Sequence, residues 1–394
     1  MIFSDVVGQA DVKRHLVEMV NHNRLSHALL FTGKEGRGGL ALAVALAQYV
    51  VCERTTGASS DGGLFEAAMP AAIPSDACGV CSACKKASAF VHPDIHFSYP
   101  VIPKKAGDKP LSTDFISEWR EFLKTHPYGN TYDWLQFIGA ENKQGNITAH
   151  ECSDIIRKLN LKSFESQYKI LIMWMPEYLG TEGNKLLKLI EEPPPGTLFL
   201  FVTENESLLL PTIVSRTQLI RIPPLGADDI ERELVKKGLA AEQAVQVAAV
   251  SDGSYRESLQ LMQHAGEDWQ SYLREWLNAI VKSALSVQVR WIEDMSSLGR
   301  ERQKQFLRYF NHLLGLAVRL RVMGDQALKI SEPERDFANR LNKMTGIEQQ
   351  EAMMQELDNA AYYIERNANP KMLFHALTIK LHHIITGKSL ILTI

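Results

Sequence analysis

His27-Ala-Leu-Leu-Phe31 leads through Thr32 into Gly33-Lys-Glu-Gly36-Arg-Gly38-Gly39-Leu40, and an Ala/Leu/Val stretch follows as far as Val51. The first run has no polar face and reads as a buried strand; Leu40–Val51 reads as a buried helix. A strand, a glycine-rich turn and a helix are the setting of a phosphate loop, which when working reads G-x-x-x-x-G-K-[ST]. Its glycines let backbone N–H groups wrap the phosphates, and the helix N-terminus adds partial positive charge. The lysine neutralises the β- and γ-phosphates while the hydroxyl holds magnesium. Here Gly33 and Gly38 are in register, but the lysine position is Gly39 and the hydroxyl position Leu40. Neither Lys34 nor Arg37 stands where the loop lysine works. Gly33, Gly36, Gly38 and Gly39 are therefore read as a vestigial phosphate loop, against the blander alternative of a chance glycine turn.

Working outward, Tyr168–Met175 and Thr197–Thr203 are two further short apolar runs rich in β-formers. Strands covered on both sides imply a parallel sheet with helices on each face, hence an α/β domain. Nucleotide hydrolases of this build end a second strand in an acidic pair that holds magnesium. The run from Ile170 ends instead in Met173-Trp174-Met175-Pro176, with no carboxylate before Glu177. Two separate chemical parts are missing together.

The chain of 394 residues is too long for one core, and 45% hydrophobic with 23% charged residues suits a globular protein. Two stretches interrupt the α/β pattern. Residues 53–77 are rich in Gly, Ser, Ala and Pro; residues 97–146 carry Trp119, Trp134 and Phe137, aromatics expected to be packed. Beyond Pro223-Pro224 the pattern turns helical, with a small unit over 228–265 and five or six amphipathic helices over Trp269–Gly387, among them Glu301–Val322. The expected domains are 1–225, 226–265 and 266–394. A net charge of -3 gives no global basic field. The N-terminal residues lack a signal peptide, and Leu40–Val51 is about a third short of the ~18 apolar residues of a membrane span. A cytoplasmic protein without membrane contact is expected.

Four of five cysteines fall as Cys52-x25-Cys78-x2-Cys81-x2-Cys84. Four thiolates suit tetrahedral zinc, and four leave no open position for catalysis, so the expected ion is structural. Iron–sulfur and free thiols are the alternatives; the bacterial iron–sulfur run continues x3-C-P, whereas Lys-Lys-Ala follows Cys84. Cys152 reads as a core residue in a helix over 149–161, and His92 and His96 as structural.

Read together, Val7-Gly-Gln9, Arg24–Gly33, Cys78–Cys84, His92-Pro-Asp94, Asn184-Lys-Leu-Leu-Lys-Leu-Ile-Glu-Glu-Pro-Pro194, Leu209-Leu-Pro-Thr-Ile-Val-Ser-Arg216 and Gly253-Ser-Tyr-Arg256 resemble the AAA+ clamp-loader family. The resemblance covers residues 1–260 in the family's order. It implies an AAA+ α/β domain with a zinc module at 52–84, a helical lid, and an all-α collar that holds a ring together. It also implies a non-hydrolysing subunit of a DNA polymerase III clamp loader, with gamma/tau-like ATPase and delta-like partners. Sliding clamp and primer–template DNA would be met through the complex. In this family the Ser-Arg at Ser215-Arg216 sends an arginine into the neighbour's nucleotide site, although Thr217 replaces the usual cysteine. Arg256 matches a nucleotide-sensing position; with the loop vestigial its role is open, a simple helix-surface ion pair being an equal alternative. Glu191-Glu192 read as solvated, and 97–146 has no family counterpart. The alternatives are an active gamma/tau-like ATPase and a zinc-containing nucleic-acid-binding protein.

Overall fold

Ala28–Thr32 (β1) is buried along its length and lies second from one edge of a parallel five-stranded sheet. It pairs with Thr197–Thr203 (β4), Ala28 opposite Phe199, and on its other side with Gln218–Arg221 (β5), Leu30 opposite Leu219. Lys169–Trp174 (β3) joins β4 to Ile95–Ser98 (β2), giving the order β2-β3-β4-β1-β5. The structure, a computed structural model, describes residues 1–55, 74–105, 107–140, 143–263, 268–282, 284–324, 332–366 and 368–387. Most of the expected excursion at 53–77 lies outside them.

Helices Ala10–Asn21 (α1) and Gly39–Val51 (α2) flank β1, Ser82–Ser88 (α3) precedes β2, and Ile116–Thr125 (α4) and Thr131–Phe137 (α5) belong to the excursion that follows β2. Ala149–Leu159 (α6) leads to β3, Leu187–Glu191 (α7) to β4 and Pro211–Val214 (α8) to β5. Helix α2 is buried on all sides from Leu40 to Val51 and packs on β1, β3 and β4. The other face of the sheet offers Leu171, Met173, Phe199 and Phe201 to Cys152 and Ile155 of α6, Ile190 of α7 and Ile213 of α8. Apolar helices thus cover both faces, as the unbroken apolar strands require.

The excursion has its own aromatic core. Tyr99 stacks on Trp119 at 3.9 Å, and Trp119 meets Trp134 edge-on at 5.1 Å and Trp174 at 5.2 Å. Trp119 and Trp134 are fully buried, and the Trp134 indole N–H donates to the Pro100 carbonyl at 2.7 Å. Phe137, expected to be packed, is 39% exposed at the edge of this cluster.

The remaining helices are Ala227–Lys236 (α9), Ala241–Val250 (α10), Tyr255–Gln263 (α11), Trp269–Val281 (α12), Leu285–Ser297 (α13), Arg300–Met323 (α14), Glu332–Met344 (α15), Ile347–Glu365 (α16) and Pro370–Thr386 (α17). One compact unit comprises Met1–Lys237 with Ser251–Leu259, the other Gly238–Val250 with Gln260–Ile394. This division passes through the 226–265 segment that the sequence sets apart. The second unit is built on Trp276, Trp291, Phe306, Phe310 and Phe374, with Trp276 and Trp291 stacked at 4.5 Å. No described helix is long and apolar enough to cross a membrane.

Candidate functional site

At the C-terminal end of β1 the loop Gly33–Gly39 turns into α2 through two left-handed glycines, Gly36 (φ +73) and Gly38 (φ +92). The Gly36 carbonyl accepts from the Tyr255 N–H at 2.9 Å, and a Cβ on Gly36 would come within 2.1 Å of Ser254 Oγ. Only glycine permits that approach. A Cβ on Gly38 would stand 3.0 Å from the Tyr128 ring. Tyr128 is buried: its hydroxyl accepts from the Val7 N–H at 2.7 Å, and its ring meets Tyr255 edge-on at 4.9 Å. Between the loop and Pro127, Tyr128, Trp174 and Glu204 a cavity of about 30 Å³ is left. That is room for about two water molecules.

Basic Lys34 and Arg37 and acidic Glu35 and Glu204 are mixed around this cavity. Burial, with Glu35 and Glu177 nearby, pushes the Glu204 carboxyl up to about 8. Burial also raises Glu177, whose Oε1 accepts from Thr203 Oγ1 at 3.1 Å. Met173 and Trp174, at the end of β3 where an acidic pair would stand, are both buried, and Trp174 packs into the excursion's aromatic core. Arg256 is buried at 4% exposure, which speaks against the helix-surface pair among its alternatives. Its Nε and Nη2 donate to Asp133 Oδ2 and Oδ1 at 2.5 and 2.6 Å, and its Nη1 lies 3.7 Å from Glu35 Oε1. Asn130 Nδ2 donates to Glu35 Oε2 at 2.6 Å. Tyr128 and Asp133 were not singled out in the sequence. Their one local signal is the Asn130-x-x-Asp133 capping box that starts α5, which says nothing of distant partners. Beside the loop, an open groove of about 660 Å³ carries Lys34, Arg37 and Arg221 against Glu204 and Glu206.

The second cluster is the four thiols. Sγ atoms of Cys52, Cys78, Cys81 and Cys84 all lie within 4.8 Å of one another, and none of these cysteines is in a disulfide. A zinc ion at about 2.3 Å from four sulfurs spaces them about 3.8 Å apart; Cys78 and Cys84 Sγ are 3.9 Å apart. Backbone N–H groups of Cys78, Cys81 and Cys84 donate to the sulfurs of Cys52, Cys78 and Cys81, each at 3.4 Å. Four thiols so close, two of them buried and three accepting from backbone N–H groups, fit a cation among them. Helix α2 delivers Cys52, and α3, capped by Cys81, delivers Cys84. His92 and His96 are outside this cluster; His92 Nε2 is 3.3 Å from Glu165 Oε1. Cys152 is buried in α6.

Arg216 follows α8 after its C-cap Ser215. Its Nε donates to Glu191 Oε1 at 2.6 Å and its Nη1 to the Thr212 carbonyl at 2.8 Å, with a third of the side chain exposed. Glu191, read as solvated, is thus the partner of this arginine at the end of α7.

A parallel sheet with a glycine loop after β1, followed by helices alone, defines an α/β domain of the phosphate-loop type joined to an all-helical unit. The chain belongs to the family described as DNA polymerase III, delta subunit, which matches residues 8–226. It is 26% identical to the DNA polymerase III subunit delta' of Bacillus subtilis over 60% of this chain and 54% of that one. To the delta' subunit of Escherichia coli it is also 26% identical, over 83% of this chain and 80% of that one. The gamma/tau subunit of Mycobacterium bovis is 26% identical over 69% of this chain and 39% of its own length. The chain thus spans about half of the Bacillus relative and four fifths of the Escherichia one.

Proposed function

We propose that this chain is a delta-prime-type subunit of a clamp loader, one that hydrolyses no nucleotide and lends Arg216 to a neighbouring ATPase subunit. The observation that carries the reading is the double substitution at the loop. Gly39 and Leu40 stand where a lysine and a hydroxyl would act, and Met173 and Trp174 where acids would hold magnesium. The loop then lacks the lysine that meets the β- and γ-phosphates, and the end of β3 lacks the acidic pair that holds magnesium.

Arg216 supports the other half of the reading. Its pair with Glu191 is partly exposed, and such pairs contribute only about 0–1 kcal/mol, so the guanidinium is easily drawn to a stronger anion. A trans arginine of this kind accelerates phosphoryl transfer by roughly 10³–10⁵ in GTPases. On this reading segment 226–265 is the lid and 266–394 the collar that joins the ring. The partners are gamma/tau-like and delta-like subunits, with clamp and primer–template met through the complex in the cytoplasm. The four cysteines hold structural zinc, which when bound ties the end of α2 to α3.

The relatives include gamma/tau subunits, so the deciding experiment is nucleotide turnover by the purified chain, alone and then reconstituted with the matching ATPase subunit. The reading expects none alone and stimulated turnover in the complex. Magnesium-dependent hydrolysis by the isolated chain, lost on mutating the loop, would instead make it an active ATPase.

A further inference from the structure

The excursion after β2 does more than fill space. Its segment 127–133 reaches the phosphate loop at three places. Tyr128 lies against Gly38, the Asn130 amide holds Glu35, and the Asp133 carboxylate takes two hydrogen bonds from Arg256. Arg256 in turn follows the Ser254–Tyr255 backbone that closes on Gly36. Three segments remote in sequence, 33–39, 127–133 and 254–256, therefore meet around one buried guanidinium.

Guanidinium offers a planar fork that matches carboxylate and phosphate oxygens alike. In a nucleotide-binding domain the anion that gathers such segments arrives with the ligand, and the closure depends on it. Here the anion is part of the chain. We propose that segment 127–133 is a built-in occupant of the phosphate-loop site, with the Asp133 carboxylate seated on Arg256 in place of a ligand phosphate and Tyr128 covering the glycines. The site is thereby held closed without any nucleotide. The small size of the remaining cavity, lined by Tyr128 and Trp174 beside the loop, acts in the same direction. This inference rests on the reading of the loop as vestigial and gives the unassigned excursion a task within it.

The test is hydrogen–deuterium exchange on the whole chain, with and without millimolar MgATP, for wild type, Asp133→Asn, Asp133→Glu and Tyr128→Ala. An asparagine has one acceptor oxygen and presents an NH₂ where the second carboxylate oxygen was, so the fork cannot be satisfied. In Asp133→Asn, exchange should rise roughly tenfold or more together in 34–39, 127–132 and 254–256, with β4 unchanged. Asp133→Glu, which keeps the charge, should recover part of the protection. Tyr128→Ala removes the cover without stranding a charge, and should loosen 34–39 even if Asp133→Asn proves too unstable to purify. MgATP should change nothing in the wild type. Unaltered exchange of 34–39 in both Asp133→Asn and Tyr128→Ala, or protection of the wild-type loop by MgATP, would overturn the proposal. Turnover by the isolated chain bears on the proposed function separately, so the two can fail independently.

Discussion

Arg216, Cys81 and Glu204 each carry a distinct expectation at the scale of one side chain. Arg216→Ala should leave the fold intact, because the pair it breaks with Glu191 is partly exposed. DNA- and clamp-stimulated hydrolysis by the reconstituted complex should fall, and Arg216→Lys should restore little, since an ammonium lacks the planar fork. Wild-type rates from an assembled Arg216→Ala complex would reduce this arginine to a surface residue. Cys81→Ser removes a sulfur from the cluster while its hydroxyl can still cap α3. Metal analysis of protein prepared without added zinc should find one zinc per wild-type chain and none in the variant; iron in the wild type would replace the assignment. Glu204 titrates at about 8, above its unfolded value, so the folded state binds the extra proton between those two values. Stability from this group is therefore present at low pH and lost as pH rises towards 8 and beyond, by a few kcal/mol at about 1.4 kcal/mol per unit. Urea midpoints of Glu204→Gln against wild type should diverge in the variant's favour between pH 5 and pH 9; parallel curves would show that the carboxyl is solvated.

At the scale of elements, β1, β3 and β4 were legible because both their faces are buried, which leaves an unbroken apolar run. The strands β2 and β5 were not. They are short and lie at the sheet's edges, where polar His96, Ser98, Gln218 and Arg221 dilute the pattern. The excursion's aromatics announced a packed element but not its partner, since stacking of Trp119 beside Trp174 joins positions far apart in sequence. That contact explains why an acid is absent from the end of β3: an indole there belongs to a core, and a carboxylate would be buried among rings. Trp119→Ala should cost roughly 3–5 kcal/mol, measured by denaturant unfolding. It should also loosen Tyr128 over the loop. A cost near zero would mean that the excursion packs on nothing that matters.

For the whole molecule, the cysteines and glycines of the two clusters could be read because their spacing along the chain is itself the signal. Tyr128 and Asp133 could not, since their partners Val7, Gly38 and Arg256 come from the two ends of the first unit. The division into units has a consequence for anything that cuts the chain. Residues 238–250 belong with the second unit while 251–259 return to the first, so the backbone passes between units three times. A protease nick after Lys237 frees no intact first unit, because the fragment that departs carries Arg256, the counter-charge of Asp133. The two pieces should therefore co-elute under native conditions and separate only in denaturant. A chain ended by design at Lys237 would expose the glycine loop on its Ser254 side and leave Asp133 without its cation. Each unit is built from two separate stretches of chain, and dissecting the molecule demands cuts that keep both stretches of a unit together.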